Sequence, residues 1–519
     1  MISSSLWRKG VLFELSFLLI VILGAALLRF YRLEMFPPGL HGDEGVVGLE
    51  ALRVLEEGWI GPYVPSALGQ PAGAMYIAAL AFKLFGASHL TVRASFALLG
   101  VFSVGASYLF YRTLFSQRVA ILGAIFMALS YWHLHFSRVA FLTISILPFE
   151  IVSLFFLFLG FKTKRIINFV MAGVFFGLCV YMYNTYPLFF LAVLLFFVFK
   201  AIKRGGSLKD LATQFIPFLL VAFISALPLI MFALDKESGY LTHHSSVTFL
   251  SDPAYLEKKG VLEKAGFIVD RTIQSALVFH KGGDFDGVDA LGNRPLLDPV
   301  TGAFFAIGLG ICLWKWREER YFLIIAGIVT GVLGIILTTV YGGQYRRLIS
   351  ALPFVMVAAA LPLESVWGLI DERLNKKLGY LLVALAVCFV GYYNIRYYFV
   401  DFARQPSTRW VFCADLVESI EYIESLPSEG LYVYFYSDRW SYNYETRQFL
   451  LPQVPGEDRS RQFGTFSLEK ADNQQNVVYL LLPPYEGLID QIREKYPGGI
   501  YKASGEDGSV FSAYFIKGI

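Results

Sequence analysis

The stretch Val11-Leu12-Phe13-Glu14-Leu15-Ser16-Phe17-Leu18-Leu19-Ile20-Val21-Ile22-Leu23-Gly24-Ala25-Ala26-Leu27-Leu28 decides the class of this chain. Arg8 and Lys9 precede it, and Arg29-Phe30-Tyr31-Arg32 follows. The run is long for the apolar core of a signal peptide, and no small-residue cleavage site comes after it. It reads as a first transmembrane helix with its N-terminus in the cytoplasm. A helix crossing ~30 Å of hydrocarbon takes about 20 apolar residues. Ten further segments qualify, approximately 91–111, 119–136, 142–161, 166–183, 186–200, 211–232, 300–314, 321–340, 348–368 and 379–399. The loops on the N-terminal side then carry Arg112/Arg118, Lys162/Lys164/Arg165, Lys200/Lys203/Arg204/Lys209, Lys315/Arg317/Arg320 and Arg373/Lys376/Lys377. All are short and basic, whereas the opposite loops are longer and mixed in sign. The positive-inside rule therefore predicts eleven spans with the tail outside.

Composition agrees. The 519 residues are 56% hydrophobic and 16% charged, against roughly 25% charged in a soluble domain. Disordered, collagen-like, coiled-coil and disulfide-scaffold classes are excluded, and the figures speak against an ordinary soluble enzyme. The average hides a boundary. Asp401 to Ile519 holds 11 Lys+Arg and 17 Asp+Glu, a net charge of −6, while the first 400 residues carry +9. The fold class expected is a polytopic α-helical membrane protein of about eleven transmembrane helices, with interfacial helices in its first outer loop. Residues 1–400 form the membrane module and 401–519 a soluble extracytoplasmic α/β domain. An overall charge of +3 predicts no nucleic-acid partner; the lipid bilayer is the partner implied. Cys179, Cys312, Cys388 and Cys413 show no CxxC or Cys/His ligand spacing, so zinc and redox chemistry have no support.

Three outer segments are long: 29–90, 233–299 and the tail. In the first, Val46 to Glu57 reads as an amphipathic helix, with Glu50, Arg53 and Glu57 on one face. Gly73 to Phe85 is apolar but too short to span, and reads as interfacial. In the tail, Leu416–Leu426 and Tyr485–Tyr496 look helical. Gly430–Tyr436, Asn476–Leu482, Ile500–Ala503 and Ser509–Ile516 look like strands of one sheet. The tail has no phosphate-binding glycine loop and no nucleophile elbow.

Ionisable groups at a membrane face are costly and therefore informative. The densest place is His41-Gly42-Asp43-Glu44-Gly45, two adjacent carboxylates at the start of the amphipathic helix. A carboxylate there is stabilised as the anion by the helix dipole and suits a general base for an acceptor hydroxyl; an N-cap role for Asp43 is the plainer alternative. Arg93, Arg138, Arg346 and Arg347 mark the outer ends of other spans. Each alone could be a snorkelling anchor. Together, on the side of the carboxylates, they fit a lipid-linked phosphate, which arginine grips bidentately.

Several stretches resemble the C-type superfamily of membrane glycosyltransferases, in the branch of protein O-mannosyltransferases and aminoarabinose transferases (glycosyltransferase family 39-like). They are Asp43-Glu44 with Gly48-Leu49-Glu50-Ala51, Thr91-Val92-Arg93-Ala94-Ser95, and Ser130-Tyr131-Trp132-His133-Leu134-His135-Phe136-Ser137-Arg138. Others are Tyr181-Met182-Tyr183-Asn184-Thr185, Asn293-Arg294-Pro295-Leu296-Leu297-Asp298-Pro299, and Tyr345-Arg346-Arg347-Leu348 with Leu352-Pro353. The resemblance covers roughly residues 11–370. It implies transfer of a sugar from a polyprenyl-phosphate carrier to a hydroxyl or amino acceptor on the non-cytoplasmic side, with inversion. It makes Asp43 the base, with Glu44 its neighbour, and Arg93, Arg138, Arg346 and Arg347 candidates for the carrier phosphate. The aminoarabinose branch has a Lys-Pro-Pro where this chain has Gly69-Gln70-Pro71. Gln70 donates a hydrogen bond but no charge, which leaves the phosphate to the arginines.

No cofactor is expected. Asp284-Phe285-Asp286 is a weak divalent-metal candidate, with Asp289 and His280 nearby, but the WWDYG-type motif of the metal-using oligosaccharyltransferases is absent. His243-His244 reads as surface. Two other readings stay open: a transporter or flippase of lipid-linked sugars, although no internal repeat is visible, and a non-catalytic scaffold in which Asp43 is dispensable. The sequence leaves the sugar and the acceptor undefined.

Overall fold

The computed structural model describes residues 4–204, 208–235, 238–240, 248–282, 287–289, 294–338, 345–470, 476–505 and 510–518. Helices occupy all eleven predicted positions: α1 (Ser4–Phe30), α4 (His89–Leu114), α5 (Gln117–Leu129) running into α6 (Tyr131–Arg138), α7 (Ile146–Thr163), α8 (Ile166–Leu178), α9 (Tyr186–Arg204), α10 (Leu208–Leu234), and four more at Pro299–Trp314, Glu319–Ile336, Leu352–Arg373 and Lys376–Arg396. Two helices of the first outer loop, α2 (Gly42–Glu57) and α3 (Gly73–Phe85), lie between α1 and α4.

The protein is a polytopic helical membrane protein. Among the described residues seven helices are long and apolar enough to cross a bilayer, eight if the bent pair α5–α6 is one span. The described side chains of α1 begin at Glu14. α8 has 13 residues and Pro299–Trp314 has 16. The apolar run through 166–183 leaves α-helical geometry at Cys179, where a 3-10 turn leads toward Tyr183. The run 119–136 is likewise broken: α5 and α6 meet at 54°, at Ser130, whose ψ of 126° is non-helical.

Burial sorts the helices. The helix through 345–373 is 83% buried over its apolar window, whereas α10 and the helix through 376–402 are 22% buried. The first is the centre of the bundle. The others present Leu220, Phe223, Ile224, Leu381 and Leu385 outward, an apolar surface that only lipid accommodates. α3 is 13 residues long, about 20 Å at 1.5 Å per residue, and packs against α2 and α4.

The tail forms a five-stranded mixed sheet in the order β4-β3-β5-β7-β6. Its strands are β3 (Leu431–Tyr436), β4 (Gly456–Asp458), β5 (Asn476–Leu481), β6 (Ile500–Ser504) and β7 (Phe511–Ile516). β3 pairs in parallel with β4 and β5, and β7 antiparallel with β5 and β6. Alternation along the strands builds two cores. Val433, Phe435, Val478 and Leu480 pack with Leu416, Ile420 and Ile423 of helix Ala414–Glu424 on one face. Tyr434, Tyr436, Tyr479 and Leu481 pack with Ile489 and Ile492 of helix Ile489–Lys495 on the other. β4 and the short helix Glu445–Leu450 carry no clear sequence signal, because both are brief and held by tertiary contacts.

Candidate active site

The loop entering α2 is fixed by polar groups. His41 is extended and caps α2: its Nδ1 accepts from Asp43 N at 3.0 Å, while His41 N donates to Glu44 Oε2 at 3.0 Å. This reciprocal capping box satisfies two donors that the first turn leaves free. It turns the adjacent carboxylates in different directions. Asp43 keeps 46% of its side chain exposed, and Glu44 has none exposed.

Glu44 accepts four hydrogen bonds. Arg93 Nε donates to Oε1 and Arg93 Nη2 to Oε2, both at 2.8 Å. Ala140 N donates to Oε1 at 2.8 Å, and His41 N completes the set. Burial by itself raises the carboxyl pKa, but the charge and hydrogen bonds of Arg93 outweigh it and hold Glu44 below the usual carboxylate range. Arg93 is fully buried and also donates to the carbonyls of Leu33, Pro37 and Gly39. Arg138, on α6, donates to the carbonyls of Leu28, Arg29, Tyr31 and Phe36. These two arginines thus staple the turn between α1 and α2, and neither lines the cavity described next.

That cavity has a volume of about 430 Å³. Asp43, Gln70, Arg346 and Arg347 all line it, with Phe141, Thr143, Tyr183, Asn184 and Thr185. Gln70 stands on β2 (Gln70–Pro71), paired antiparallel with β1 (Tyr63–Val64). The two arginines stand on a 3-10 segment, Tyr345–Ala351, that opens the central helix. Arg346 is held by Asp289, which accepts from its Nε at 2.8 Å and its backbone N at 3.0 Å. Arg346 Nη1 lies 3.8 Å from Asp43 Oδ2. Arg347 differs: its Nη1 is buried with no hydrogen-bond partner among the described residues. A second cavity, of about 400 Å³, is lined by Phe176, Phe190, Phe197, Phe215 and Phe218. It shares Pro187 with the first.

The structure therefore brings four of the sequence candidates together and places Glu44, Arg93 and Arg138 behind them as supports. Asp284, Asp286 and His243-His244 lie outside the described residues. Among the described residues no group of three His, Cys, Asp or Glu could hold a metal ion, and Asp289 is engaged by Arg346. Sequence reasoning undervalued Asp289, whose partner is remote in the chain. It also missed Glu150, fully buried on α7, which accepts from Ser350 Oγ at 2.7 Å within the arginine-bearing segment.

A stability prediction follows from Glu44. Glu44→Gln leaves Arg93 buried without its counter-charge, a loss of about 3–5 kcal/mol. Thermal unfolding of the detergent-purified protein at neutral pH should show a marked drop in Tm. Because the folded pKa is depressed, this contribution is complete above the ordinary carboxylate range and fades as pH falls through the lowered value. The gap between wild type and variant should therefore close in acid. An unchanged Tm at neutral pH would contradict the role given to the pair.

Two kinds of likeness to known proteins accompany this fold and cavity, one in sequence over part of the chain and one in fold. Residues 69–232 match the family described as dolichyl-phosphate-mannose-protein mannosyltransferase. The whole chain is similar in fold to ArnT from Cupriavidus metallidurans bound to undecaprenyl phosphate, at 13% identity and a TM-score of 0.57, covering 99% of this chain and 98% of that one. It is also similar to the oligosaccharyltransferase AglB from Archaeoglobus fulgidus in complex with an inhibitory peptide and a dolichol-phosphate, at 14% identity and a TM-score of 0.52, covering 98% and 74%. At such identities the likeness is one of fold. No curated protein sequence matches the chain. The chain thus matches a mannosyltransferase family model over residues 69–232 and shares its fold with ArnT and AglB.

Proposed function

We propose that the protein moves a sugar from a polyprenyl-phosphate carrier to a hydroxyl or amino acceptor on the extracytoplasmic side, with inversion. The observation that carries this reading is the pair of adjoining cavities. One is polar, with a half-exposed carboxylate and two guanidinium groups; the other is walled by phenylalanines and borders the first at Pro187. A phosphate head with a hydrocarbon tail matches that pairing. The similar folds carry undecaprenyl phosphate and dolichol-phosphate, the carrier class proposed here.

In the transfer, Asp43 takes the proton of the acceptor group as its oxygen or nitrogen forms a bond to the anomeric carbon. The bond from that carbon to the phosphate oxygen breaks, and the electron pair leaves with the polyprenyl phosphate. Arg347 faces the negative charge that develops there, and Gln70 offers a neutral donor. Arg346, spanning Asp43 and Asp289, sets the direction of the base. Glu44, Arg93 and Arg138 act one layer back by holding the loop that carries Asp43.

The same reading divides the chain into a membrane module, 1–400, and an outward domain, 401–519. It puts the N-terminus in the cytoplasm. Two contacts support that orientation. Arg112 meets Glu14 at 3.2 Å and Arg118 meets Asp371 at 2.6 Å, so ends carrying basic loops gather together. The loop bearing Asp43, in contrast, packs on the tail domain.

The test is a transfer assay on the full chain in lipid nanodiscs with synthetic short-chain polyprenyl-phosphate sugars. Release of polyprenyl phosphate, with no turnover of nucleotide-linked sugars, is the expected result. Turnover of nucleotide sugars alone would overturn the proposal. Mass spectrometry of surface glycans and glycoproteins, with and without the gene, then identifies the acceptor.

A further inference from the structure

Phe412, just before helix Ala414–Glu424, packs from the tail side behind the wall of the polar cavity. Its ring stacks on Phe141, a wall residue of the cavity, at 6.3 Å and 12°. It also meets His41, the cap of α2, edge-on at 5.9 Å. Farther along the tail, Thr446 Oγ1 donates to Leu40 O at 3.0 Å, both groups being buried. The tail domain thus touches the base-bearing loop through a ring and a hydrogen bond, on residues that adjoin Asp43.

The backbones also approach unusually closely. A Cβ on Gly45 would lie 2.8 Å from the main chain of Glu445 and Thr446, and one on Gly48 would lie 2.5 Å from the Phe449 ring. On Gly42 it would strike the Tyr444 hydroxyl, and on Gly39 the main chain at Phe412. Within α2, Gly42, Gly45 and Gly48 recur every third residue, so they share one face of the helix. At about 100° per residue, Asp43 stands roughly 160° from the middle of that face. The tail grips the back of α2 while the front presents the carboxylate to the cavity. Contact at that range lets neither element slide without a clash, and transfer chemistry tolerates little misplacement: a shift of about 1 Å can cost on the order of 100-fold.

We propose that the segment Phe412–Phe449 of the tail domain is a positioning element of the transfer site. It sets the height and rotation of α2, and hence the place of the Asp43 carboxylate, through the Gly48–Phe449 and Thr446–Leu40 contacts. The inference rests on Asp43 being the base. It gives the tail, which has no catalytic motif of its own, a part in the reaction.

The test uses the full chain. Gly48→Ala should lower kcat about tenfold or more while KM for the polyprenyl-phosphate sugar stays within about twofold, because the donor is held by Arg347 and the apolar cavity. Adding Phe449→Leu, which vacates the space the new methyl needs, should restore most of kcat. A part that merely stabilises the fold would change Tm and yield but leave kcat per folded molecule unaltered. That result, or a loss that Phe449→Leu does not relieve, overturns the proposal. If Gly48→Ala does not fold, Thr446→Val removes one hydrogen bond at constant volume, and the same split between kcat and KM decides. Asp43→Asn run in parallel separates the two ideas. Activity retained there overturns the base assignment and the positioning role with it. Activity lost there, beside an unaltered kcat in Gly48→Ala, overturns the positioning role alone.

Discussion

Asp43→Asn should lower kcat by about 10²–10⁴-fold, the range a positioned general base contributes, with little change in stability or in donor binding. The geometry explains why the effect should be so selective. The α2 cap uses Asp43 through its backbone N–H, which the substitution keeps. The side chain is half-exposed, and its contact with Arg346 is a loose 3.8 Å. Asparagine has the same shape and still fits, but cannot accept the proton. Surface changes of this kind usually shift stability by no more than about 0.5 kcal/mol. The measurement is single-turnover transfer alongside a thermal melt. Full activity in the variant would remove Asp43 from the chemistry and favour a scaffold. The neighbouring substitution Glu44→Gln should behave in the opposite way, costing stability first. Two adjacent carboxylates would then separate cleanly, because one faces a cavity and the other a buried guanidinium.

Arg347→Ala should lower kcat by about 10²–10³-fold, the usual cost of removing one charge-stabilising donor from a transferring group, and should also raise KM for the donor. A guanidinium buried beside a cavity with an unsatisfied Nη1 is expensive to keep. An anion arriving in the cavity repays that cost, and a phosphate does so with two parallel hydrogen bonds. Arg347→Lys keeps the charge but loses the fork, so it should recover only part of the activity. Arg346 has a weaker claim to the phosphate, since Asp289 already occupies its Nε and backbone N. Titration with short-chain polyprenyl phosphate, followed by protection against thermal unfolding, gives an independent reading. Equal protection of wild type and Arg347→Ala would overturn the assignment.

Much of this was legible in advance, for a simple reason. Spans announce themselves because hydrocarbon thickness fixes their length, and the sheet of the tail because its strands alternate. The fault lines were less visible. The break at Ser130 and the early end of α8 depend on what packs against them, and an apolar run reads the same whether it is straight or bent. The arginines divide the candidate site in the same way. Sequence spacing put Arg93, Arg138, Arg346 and Arg347 at outer helix ends, and all four looked alike. Only the fold shows that Arg93 and Arg138 donate to backbone carbonyls at the end of α1 and in the loop before α2, and Arg93 also to Glu44, while Arg346 and Arg347 face a cavity. The glycines at 39, 42, 45 and 48 were a readable signal of close packing, but their partner lies some 400 residues later.

By itself, then, the sequence determined the helical membrane body, the sheet of the tail and the acidic pair Asp43-Glu44 at a helix start. Hydrophobic length, loop charge and helix-start chemistry are local properties, written residue by residue. The tertiary structure decided which carboxylate faces the cavity, which arginine keeps an unpartnered Nη1 among the described residues, and that the tail packs on the helix carrying Asp43. Those are matters of which groups satisfy each other across the chain, and residues far apart in sequence meet only when the chain folds.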